Sequence, residues 1–368
     1  MIRPILLIHR AGWGGAEQTL LDLIEGLPTD QWQVTAAVPD GPFSEKLAGL
    51  QTNIESIRFP AWRKMRDLIR NRLCLRSITR LAGRVSARVV IAGDFRTAPY
   101  AVQAAVNRGC PSLVFIQDST IRQRHIKAYR VHRADRVLCP SNRQLQHAIL
   151  AGVDPPRAIL LPVGIDTKRF NPHVDGSRLR NQWMPCQDAV LVGCIGSISP
   201  LKGQDLLLEA MLPLMREDKR IGLIFAGSGK NSFIENLKGR ASEFLSSNRI
   251  RFVDWMEDIG AAYAAVDVVA VPSRSESFSR VTAEAMACGK AVVATQTGAV
   301  EELFDRDRCG ISVPVGDISA LRESLTHLVN DAEMRMRLRH AASEQIVHHF
   351  SLAKSQQQFR EVLQSVCD

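Results

Sequence analysis

The sequence predicts an α/β protein with two Rossmann-like domains, each built on a doubly wound parallel sheet. Three observations support this prediction. Short apolar runs alternate with helical patterns throughout, 368 residues are too many for one ordinary core, and a stretch rich in Pro and Gly, residues 162–172, separates two sets of runs. We therefore assign a first domain to residues 1–165, a connection to 166–188, a second domain to 189–349 and a final helix to 350–368.

Apolar runs bounded by polar or Gly-containing loops predict the strands of both sheets in chain order. The first sheet is expected to contain Ile5–His9, Gln33–Val38, Val89–Ala92, Ser112–Ile116, Arg136–Pro140 and Ala158–Leu161. The second is expected to contain Ala189–Ile195, Ile221–Ala226, Ile250–Val253, Val268–Val271 and Ala291–Ala294. A helix over Gln18–Leu27 is predicted to follow the first strand.

Composition is that of a globular protein, with 45% apolar and 23% charged residues. No apolar run reaches membrane-spanning length, and Met1–Ile8 is too short for a secretory signal, so it is interpreted as a buried strand. The eight cysteines, Cys186 among them, form no C-x-x-C pair, which argues against a zinc site or a disulfide framework and favours a reducing cytoplasm. The nine histidines form no pair at metal-ligand spacing with carboxylates, so no metal is predicted.

A crossing from loop to helix holds the strongest functional motif. Glu276 and Glu284 stand eight positions apart in the segment from Pro272 to Gly289. Pro272 and the Ser-rich turn after it predict that Glu276 lies on the loop and Glu284 in the helix. The helix N-terminus between them offers backbone NH groups to an anion such as a diphosphate, with a carboxylate for neutral hydroxyls on either side. This indicates a site for a sugar joined through a diphosphate to a nucleoside; the alternative is a pair of solvated helix charges.

The segment from Glu276 to Glu284, followed by Ala-Met-Ala and Gly289, resembles the pattern of the retaining glycosyltransferases of family 4, although Ser277 and Ser279 stand where that family commonly has Gly or Pro and Gly. Three upstream segments extend the resemblance over nearly the whole chain: Pro162–Phe170, Ala134–Ser141 and Ala151–Arg157. The resemblance implies a GT-B fold, with two domains facing across a cleft and a final helix, Leu352–Val366, that crosses back to the first domain. It also implies retaining transfer of a hexosyl group from a nucleotide sugar to an acceptor hydroxyl, here without a metal.

Donor-site roles follow from this resemblance. Glu276 is expected to orient the donor sugar and Glu284 to hold the ribose. Lys202 and the backbone NH groups of residues 278–281, Phe278, Ser279, Arg280 and Val281, are expected to stabilise the leaving diphosphate. Gly196 and Ser197 begin the loop that ends at Lys202; Ser197 replaces an Arg of the family, and Arg280 either compensates or points to solvent. Phe252–Met256 is expected to cradle the base.

First-domain roles follow in the same way. Gly14 and Gly15 resemble a loop that closes over donor and acceptor in the family, while Glu17 either joins this role or complements the helix dipole. Gln117 and Asp118 are candidate contacts for the sugar or the acceptor; Gln117 stands where the family often has His and cannot transfer a proton. Val163 replaces an Asn in the connecting motif.

Positive charge is concentrated in the first domain. Residues 58–88 contain ten Lys or Arg and a single acid, Asp67, which gives this window a net charge of +9. Apolar residues recur between the arginines at helical spacing, namely Trp62, Met65, Ile69 and Leu73. This predicts a basic amphipathic helix that contacts an anionic membrane surface, or, alternatively, one that packs on its domain by the same stripe.

A second basic group follows Asp118 and extends from Arg122 to Arg133. A lipid-pyrophosphate acceptor accounts for the sign of both groups and favours cell-envelope glycan or glycolipid synthesis on the cytoplasmic face of the membrane. A soluble acceptor remains an alternative. Nucleic acid is disfavoured because Tyr129 is the only aromatic residue in the second group.

Two further function classes remain. The fold could act only as a nucleotide-sugar or glycan-binding protein, for which Ser197, Gln117 and Val163 are the supporting departures. A nicotinamide oxidoreductase is disfavoured because Gly14-Gly15 lacks the spacing of the dinucleotide fingerprint. Gly227-Ser-Gly-Lys230 lacks the first Gly of a phosphate loop and is interpreted as an ordinary loop.

Overall fold

The computed structural model describes residues 1–119, 121–184 and 188–368. It divides the chain into two compact units, one of Met1–Gly164 with Leu352–Asp368, the other of Ile165–Ser351. Cys186 and its two neighbours in the expected connection lie outside the described residues, as does the side chain of Met65. The rest of the expected connection belongs to the second unit, where residues 177–183 form a helix.

The first unit is a parallel sheet covered by helices on both faces. Its elements are β1 (Pro4–Leu7), α1 (Gly15–Glu25), β2 (Thr35–Val38), α2 (Pro42–Ala48), β3 (Asn53–Ser56), α3 (Leu68–Arg84), β4 (Val89–Ala92), α4 (Ala98–Arg108), β5 (Ser112–Phe115), α5 (Gln123–Ala128), β6 (Arg136–Cys139), α6 (Asn142–Leu150) and β7 (Ala158–Leu160). The described strands lie in the order β3-β2-β1-β4-β5-β6-β7. The order reverses between β1 and β4, which pair in register from Pro4–Val89 to Leu7–Ala92.

The second unit repeats this architecture. Its elements are α7 (Ser177–Trp183), β8 (Val190–Ile195), α8 (Gln204–Glu217), β9 (Ile221–Ala226), α9 (Asn231–Arg240), α10 (Ser242–Leu245), β10 (Ile250–Val253), α11 (Ile259–Ala265), β11 (Val268–Val271), α12 (Arg280–Ala287), β12 (Ala291–Thr295), α13 (Val300–Phe304), β13 (Ile311–Val313), α14 (Ile318–Asn330) and α15 (Ala332–His349). The described strands are parallel in the order β10-β9-β8-β11-β12-β13. Here the order reverses between β8 and β11, where Val268 pairs with Val192.

The predicted α/β class with two doubly wound parallel sheets is confirmed, and the eleven predicted strands all form within two residues of their expected bounds. Two edge strands were missed. β3 contains one strongly apolar residue, Ile54, and β13 has only three residues, so neither produces an apolar run. α1 begins at Gly15, three residues before its predicted start.

The last helix, α16 (Leu352–Cys367), packs on the first unit. Phe359 and Leu363 are buried in the core beside α1, and the Phe359 ring lies 5.7 Å from that of Phe115. Gln356 Nε2 donates to the carbonyl of Asp22 at 2.7 Å. The apolar side chains of this helix therefore cover part of one face of the first sheet.

Candidate functional site

The loop after β8 approaches neighbouring backbone so closely that glycine is required. A Cβ at Gly203 would lie 2.0 Å from the carbonyl oxygen of Pro272, and Gly203 has a φ of 73°. A Cβ at Gly227 would lie 1.9 Å from the carbonyl oxygen of Gly196. The glycines thus allow the loops after β8, β9 and β11 to lie close together at the carboxyl edge of the second sheet. This edge includes the β8–β11 switch point, where doubly wound sheets bind ligands.

Lys202 and Glu276 meet at this edge. Lys202 ends a single 3₁₀ turn, Pro200–Lys202, and its Nζ lies 2.6 Å from Glu276 Oε1. The Ser273 hydroxyl donates to the same oxygen at 2.7 Å. The side chains of Lys202 and Glu276 are 27% and 11% exposed, so the pair is partly shielded but reachable. Because both of these contacts fall on Oε1, Oε2 can accept from a ligand hydroxyl.

Several residues that sequence reasoning missed fix these two loops. Arg274 forms a two-bond ion pair with Asp205, at 2.9 and 2.8 Å, and its backbone NH donates to the carbonyl of Leu201. The buried Gln204 side chain donates to the carbonyl of Ser197 at 2.9 Å and accepts from the NH of Ser199 at 3.2 Å. The Arg274 guanidinium lowers the pKa of Asp205, chiefly through these hydrogen bonds. No sequence signal marked these residues, because their partners are about 70 positions away or on the backbone.

The N-terminus of α12 follows Glu276 and is preceded by an unusual residue. Ser279 has φ 88° and ψ 69°, a left-handed conformation that favours glycine, and its hydroxyl lies 2.8 Å from that of Thr282. Phe278 and Ser279 are buried, and the first-turn NH groups from Arg280 onward have no carbonyl four residues earlier within the helix. Val281 stands in that first turn, and a Cβ at Gly196 would meet it at 3.3 Å.

Glu284 is not a solvated helix charge. It is 8% exposed and receives Arg280 Nε at 3.2 Å and the Tyr263 hydroxyl at 3.1 Å. Burial, with the Glu284 charge next in importance, raises the pKa of Tyr263 well above its usual value. Tyr263 was missed from the sequence because it lies on α11, 21 positions earlier. Arg280 therefore neither points freely to solvent nor stands apart as a spare cation, since it is paired with Glu284.

The predicted base region divides in two. Phe252 stacks on Phe225 with ring centroids 5.0 Å apart, which commits it to packing between strands. Asp254, Trp255 and Met256 follow β10 and line a concavity together with residues from the loops that contain Gly196 and Gly227. Trp255 is 54% exposed, which presents an indole surface at the rim. The chemistry suits an aromatic base or another flat group.

In the first unit the predicted residues spread along the carboxyl edge of the sheet. Gly14 is the extended N-cap residue of α1, Gly15 begins the helix, and Glu17 is buried in its first turn. Gln117 Nε2 donates to the carbonyl of Gly93 at 3.4 Å and lines a small apolar concavity. The same concavity is lined by Val163, so two positions that depart from the family pattern are neighbours. The carbonyl of the next residue, Asp118, accepts a hydrogen bond from Gln144.

The basic helix differs from the prediction in which residues it exposes. Trp62 is not part of the helix, because α3 begins at Leu68. The Trp62 ring packs edge-on against Tyr100, with 5.2 Å between the ring centroids. Ile69 and Leu73 are 74% and 53% exposed, and Leu68 beside them is also 53% exposed. The packed face consists of other residues of α3, namely Asn71, Ile78, Leu81 and Ala82. The alternative in which the predicted stripe packs on the domain is therefore wrong for Ile69 and Leu73.

Within the part of the chain that the structure describes, no three His, Cys, Asp or Glu side chains are arranged to hold a metal ion. No helix of the same part is both long and apolar enough to span a membrane.

Comparisons with known proteins identify the family of this chain. Residues 13–169 match the family model described as Glycosyltransferase Family 4, and residues 189–331 match the one described as Glycosyl transferases group 1. The chain is 30% identical over 224 residues to the lipopolysaccharide core biosynthesis mannosyltransferase LpsB of Rhizobium meliloti, covering 60% of this chain and 62% of that protein. It is 32% identical over 224 residues to the D-inositol 3-phosphate glycosyltransferase of Saccharomonospora viridis, covering 58% and 52%. The chain thus spans between half and two thirds of these relatives.

Solved structures share the fold at low identity. Anabaena Alr3699/HepE in complex with UDP superposes with a TM-score of 0.87 and 23% identity over 99% of this chain and 100% of the other. A glycosyltransferase from Rickettsia africae gives a TM-score of 0.87 at 16% identity over 99% and 98%. The two family models together account for both units, and the chain belongs to the group 1, family 4 glycosyltransferases with the GT-B fold.

Proposed function

We propose that the protein transfers a hexosyl group from a nucleoside diphosphate sugar to an acceptor hydroxyl, with retention of configuration at the anomeric carbon and without a metal ion. The observation that supports this best is the pair of Lys202 and Glu276, with 2.6 Å between Nζ and Oε1, beside the N-terminus of α12. It combines a cation, a helix N-terminus and a carboxylate within one sheet edge, as a diphosphate joined to a sugar requires.

Each residue has a defined part in the proposed reaction. Lys202 and the first-turn NH groups of α12 stabilise the negative charge that develops on the leaving diphosphate. They provide positive potential that many sugar transferases obtain from a divalent cation. Glu276 accepts hydrogen bonds from the donor sugar through Oε2. Glu284, held by Tyr263 and Arg280, accepts from the ribose hydroxyls.

The proposed reaction needs no side chain of the enzyme as a base. The bond between the anomeric carbon and the phosphate oxygen breaks, and a bond to the acceptor oxygen forms on the same face of the sugar. The acceptor proton passes to the departing phosphate oxygen, giving a nucleoside diphosphate and a glycoside. Gln117, which cannot transfer a proton, is compatible with this route. Uridine is the first base to test, because HepE forms complexes with UDP and UDP-glucose.

A thermal-shift panel of nucleotide sugars, followed by transfer assays with the ligand that stabilises most, tests the proposal. A ligand present at 100 times its Kd stabilises the folded state by about 2.7 kcal/mol. Glu276→Gln is expected to remain folded, with a cooperative ligand-free melting transition, and to lose most transfer activity. Glu217→Gln, which removes one charge at the exposed C-terminal end of α8, is the matched control. Normal transfer by Glu276→Gln would contradict the assigned role, and no stabilisation by any nucleotide sugar would contradict the function.

A binding protein without transfer activity is the second candidate, since Ser197 leaves this loop without the Arg of the family. The side chain of Ser197 is exposed, and its backbone is already fixed by Gln204. The two candidates differ in one measurement. A binding protein is stabilised by the nucleotide sugar but releases no nucleoside diphosphate during long incubation with the substrate.

We further propose that α3 binds an anionic membrane surface on its cytoplasmic side, and that the acceptor is a lipid-linked glycan or glycolipid precursor of the cell envelope. Leu68, Ile69 and Leu73 are exposed together, and arginines flank them at positions 66, 70, 72 and 76. Exposed apolar side chains within a basic surface suit the boundary between headgroups and acyl chains. Each cation near an anionic surface contributes about 1 kcal/mol, and the attraction decays within a Debye length of roughly 10 Å.

Vesicle sedimentation distinguishes this proposal from a soluble acceptor. Binding is expected with vesicles that contain phosphatidylglycerol, but not with neutral vesicles, and is expected to fall steeply as salt rises. Reversing Arg66, Arg70 and Arg76 to Glu should abolish it, while the same change in charge at Arg178, Lys219 and Arg337 of the second unit should have a much smaller effect. Equal sedimentation with neutral and acidic vesicles would refute the electrostatic part.

A further inference from the structure

We propose that His9, Asp94 and Arg96 form an acceptor-binding site in the first unit, which takes a hydroxyl group that neighbours a phosphate. This inference rests on the proposed transferase function and specifies the class of acceptor. None of the three residues was marked by the sequence pattern, because His9 lies in a different loop from Asp94 and Arg96 and no local motif contains them. The structure brings them together after β1 and β4.

Asp94 is fully committed as a hydrogen-bond acceptor. Its Oδ1 receives the backbone NH groups of Arg96 and Thr97 at 2.8 and 3.0 Å. Its Oδ2 receives the backbone NH of His9 at 3.1 Å and lies 2.8 Å from His9 Nδ1. A carboxylate oxygen accepts hydrogen bonds, so the fourth contact is a donation from His9 Nδ1–H.

This arrangement fixes what His9 presents to a ligand. When Nδ1 carries the proton of a neutral imidazole, Nε2 is an acceptor. Nε2 lies 2.7 Å from Arg96 Nη1, so a guanidinium donor occupies it in this structure. The His9 and Asp94 side chains are 19% and 21% exposed, and Arg96 is exposed. A carboxylate behind an imidazole orients the ring, and Nε2 becomes accessible to a ligand hydroxyl when Arg96 takes another partner.

Arg96 supplies the second half of the proposed site. Its side chain is exposed and can move from His9 Nε2 to an anion without a change in the backbone. Phosphate oxygens are stronger acceptors for the guanidinium NH groups than a neutral imidazole nitrogen is. The proposed ligand thus places an anionic oxygen on Arg96 and a neighbouring hydroxyl on His9 Nε2. A neutral polyol would satisfy only His9, and inorganic phosphate only Arg96.

The position within the sheet supports a ligand site. β1 and β4 are the neighbours between which the strand order of the first unit reverses, and in doubly wound sheets ligands bind outside the carboxyl ends of strands at that point. In the second unit the equivalent strands are β8 and β11, and the loops after them contain Lys202 and Glu276. The corresponding position of the first unit is therefore occupied by His9 and Asp94.

The surroundings favour an anion. The Arg96 guanidinium lies 5.6 Å from the Phe95 ring, and that ring stacks on His125 at 5.9 Å. Burial lowers the pKa of His125, and the positive charges of Arg124, Arg63 and Arg122 lower it further, with only Asp118 opposing them. Cationic side chains thus lie on both sides of Phe95, with Arg96 on one side and the arginines that act on His125 on the other.

Isothermal titration of the full chain with glycerol 3-phosphate, inorganic phosphate and glycerol tests the site. Glycerol 3-phosphate is expected to bind more tightly than either fragment. Arg96→Ala should weaken both phosphate-containing probes at least tenfold, the effect of losing one charged hydrogen bond. His9→Ala should weaken glycerol 3-phosphate about threefold to tenfold and leave inorganic phosphate unchanged. Equal weakening of both probes by His9→Ala would overturn the hydroxyl role.

Arg108→Ala is the matched control, because Arg108 is an exposed cation at the opposite end of α4, about 15 Å along the helix. If Arg96→Ala and Arg108→Ala behave alike, the site is wrong. UDP titration of the same variants separates this failure from failure of the proposed function. If Arg96→Ala still binds UDP, the proposed donor site is unaffected by a failure of the acceptor site. If the wild-type protein does not bind UDP, the donor site is refuted and the acceptor site is not.

A free phosphorylated polyol and a phospholipid headgroup share the proposed chemistry. Dihexanoyl phosphatidylglycerol, used below its micelle concentration, distinguishes the two sources. Tighter binding of the lipid than of glycerol 3-phosphate, lost in Arg96→Ala, assigns a lipid acceptor. Tighter binding of glycerol 3-phosphate, lost in the same variant, assigns a soluble one. If Arg96→Ala changes the Kd of neither probe, the inference is overturned.

Discussion

Lys202 and Glu276 are expected to affect nucleotide binding in opposite directions, although the proposed reaction requires both for transfer. The ammonium and the carboxylate lie 2.6 Å apart, and two unit charges at this distance attract by about 6 kcal/mol at an effective dielectric constant near 20. Desolvation and the competition of water reduce the net value of such a charged hydrogen bond to about 1.5 to 3 kcal/mol. That interval corresponds to a factor of about ten to one hundred and fifty in an equilibrium constant.

The direction follows from what each change leaves behind. Lys202→Ala removes the cation and leaves the Glu276 carboxylate, which is only 11% exposed, without compensation beside the diphosphate site. We expect UDP to bind at least tenfold more weakly. Glu276→Gln keeps the shape and the hydrogen bond from Ser273 but releases Lys202 from its partner, so UDP should bind as well as before or up to about tenfold more tightly.

Transfer is expected to fall in both variants, since we propose that Glu276 contacts the sugar and that Lys202 stabilises the charge that grows in the transition state. Calorimetric titration with UDP, combined with initial rates of transfer, measures both quantities on the same samples. Ser273→Ala is the milder control, because it removes one hydrogen bond to the Glu276 carboxylate without removing a charge and should cost about tenfold in rate. If Glu276→Gln weakens UDP binding as much as Lys202→Ala does, the carboxylate faces the diphosphate and the assigned roles are wrong.

Three further predictions concern stability and reactivity. At Ser279, φ 88° disfavours β-branched residues, so denaturant titration should find Ser279→Val less stable than Ser279→Gly by about 2 kcal/mol or more; equal stabilities would contradict the left-handed conformation. Burial, with the charge of Arg339, lowers the pKa of Lys290 to about 8, below its unfolded value near 10.5, so the unfolded chain binds more protons between these values. Stability of the wild type relative to Lys290→Met should therefore rise by about 3 kcal/mol from pH 8 to pH 10.5, and a flat difference would refute the shift. Burial raises the pKa of the Cys139, Cys194 and Cys288 thiols to about 12, so iodoacetamide at pH 8 should modify them only after unfolding; rapid labelling of the native protein would contradict this.

Sequence reasoning predicts the strands of this fold well because most of them are buried on both faces and appear as continuous apolar runs. It fails at β3 and β13, where edge strands have few apolar residues and depend on pairing with a neighbour. Helix α3 shows a different limit. Apolar residues from Trp62 to Leu73 keep helical spacing, yet Trp62 packs on Tyr100 before the helix begins, and Ile69 faces outward. Spacing alone does not state which apolar face is covered.

The residues of the candidate donor site were named from the sequence where a local motif contains them, and their donor-site roles stay a prediction. Glu276, Glu284 and Lys202 stand in segments whose loop and helix signals are short-range, and the structure brings Lys202 to Glu276 across 74 positions. Tyr263 and the pair of Arg274 and Asp205 had no such signal, because their role is to contact residues brought near by the sheet. The same limitation applies to His9 and Asp94, which are separated by 85 positions and meet only because β1 and β4 are neighbours.

The departures from the family pattern change side chains while the backbone that supports them is retained. Ser279 adopts a left-handed conformation that glycine would adopt more easily, and its hydroxyl pairs with that of Thr282. Ser197 keeps its carbonyl on Gln204, so the loop leading to Lys202 does not depend on the missing Arg. The left-handed conformation of Ser279 costs about 1 to 3 kcal/mol of folding free energy. It leaves the N-terminus of α12 in a position to bind a diphosphate. Under the proposed function, we therefore expect Ser197, which stands where the family has Arg, to lower the rate of transfer more than it lowers the binding of the nucleotide sugar; Ser197→Arg should raise the rate and leave the Kd of UDP nearly unchanged.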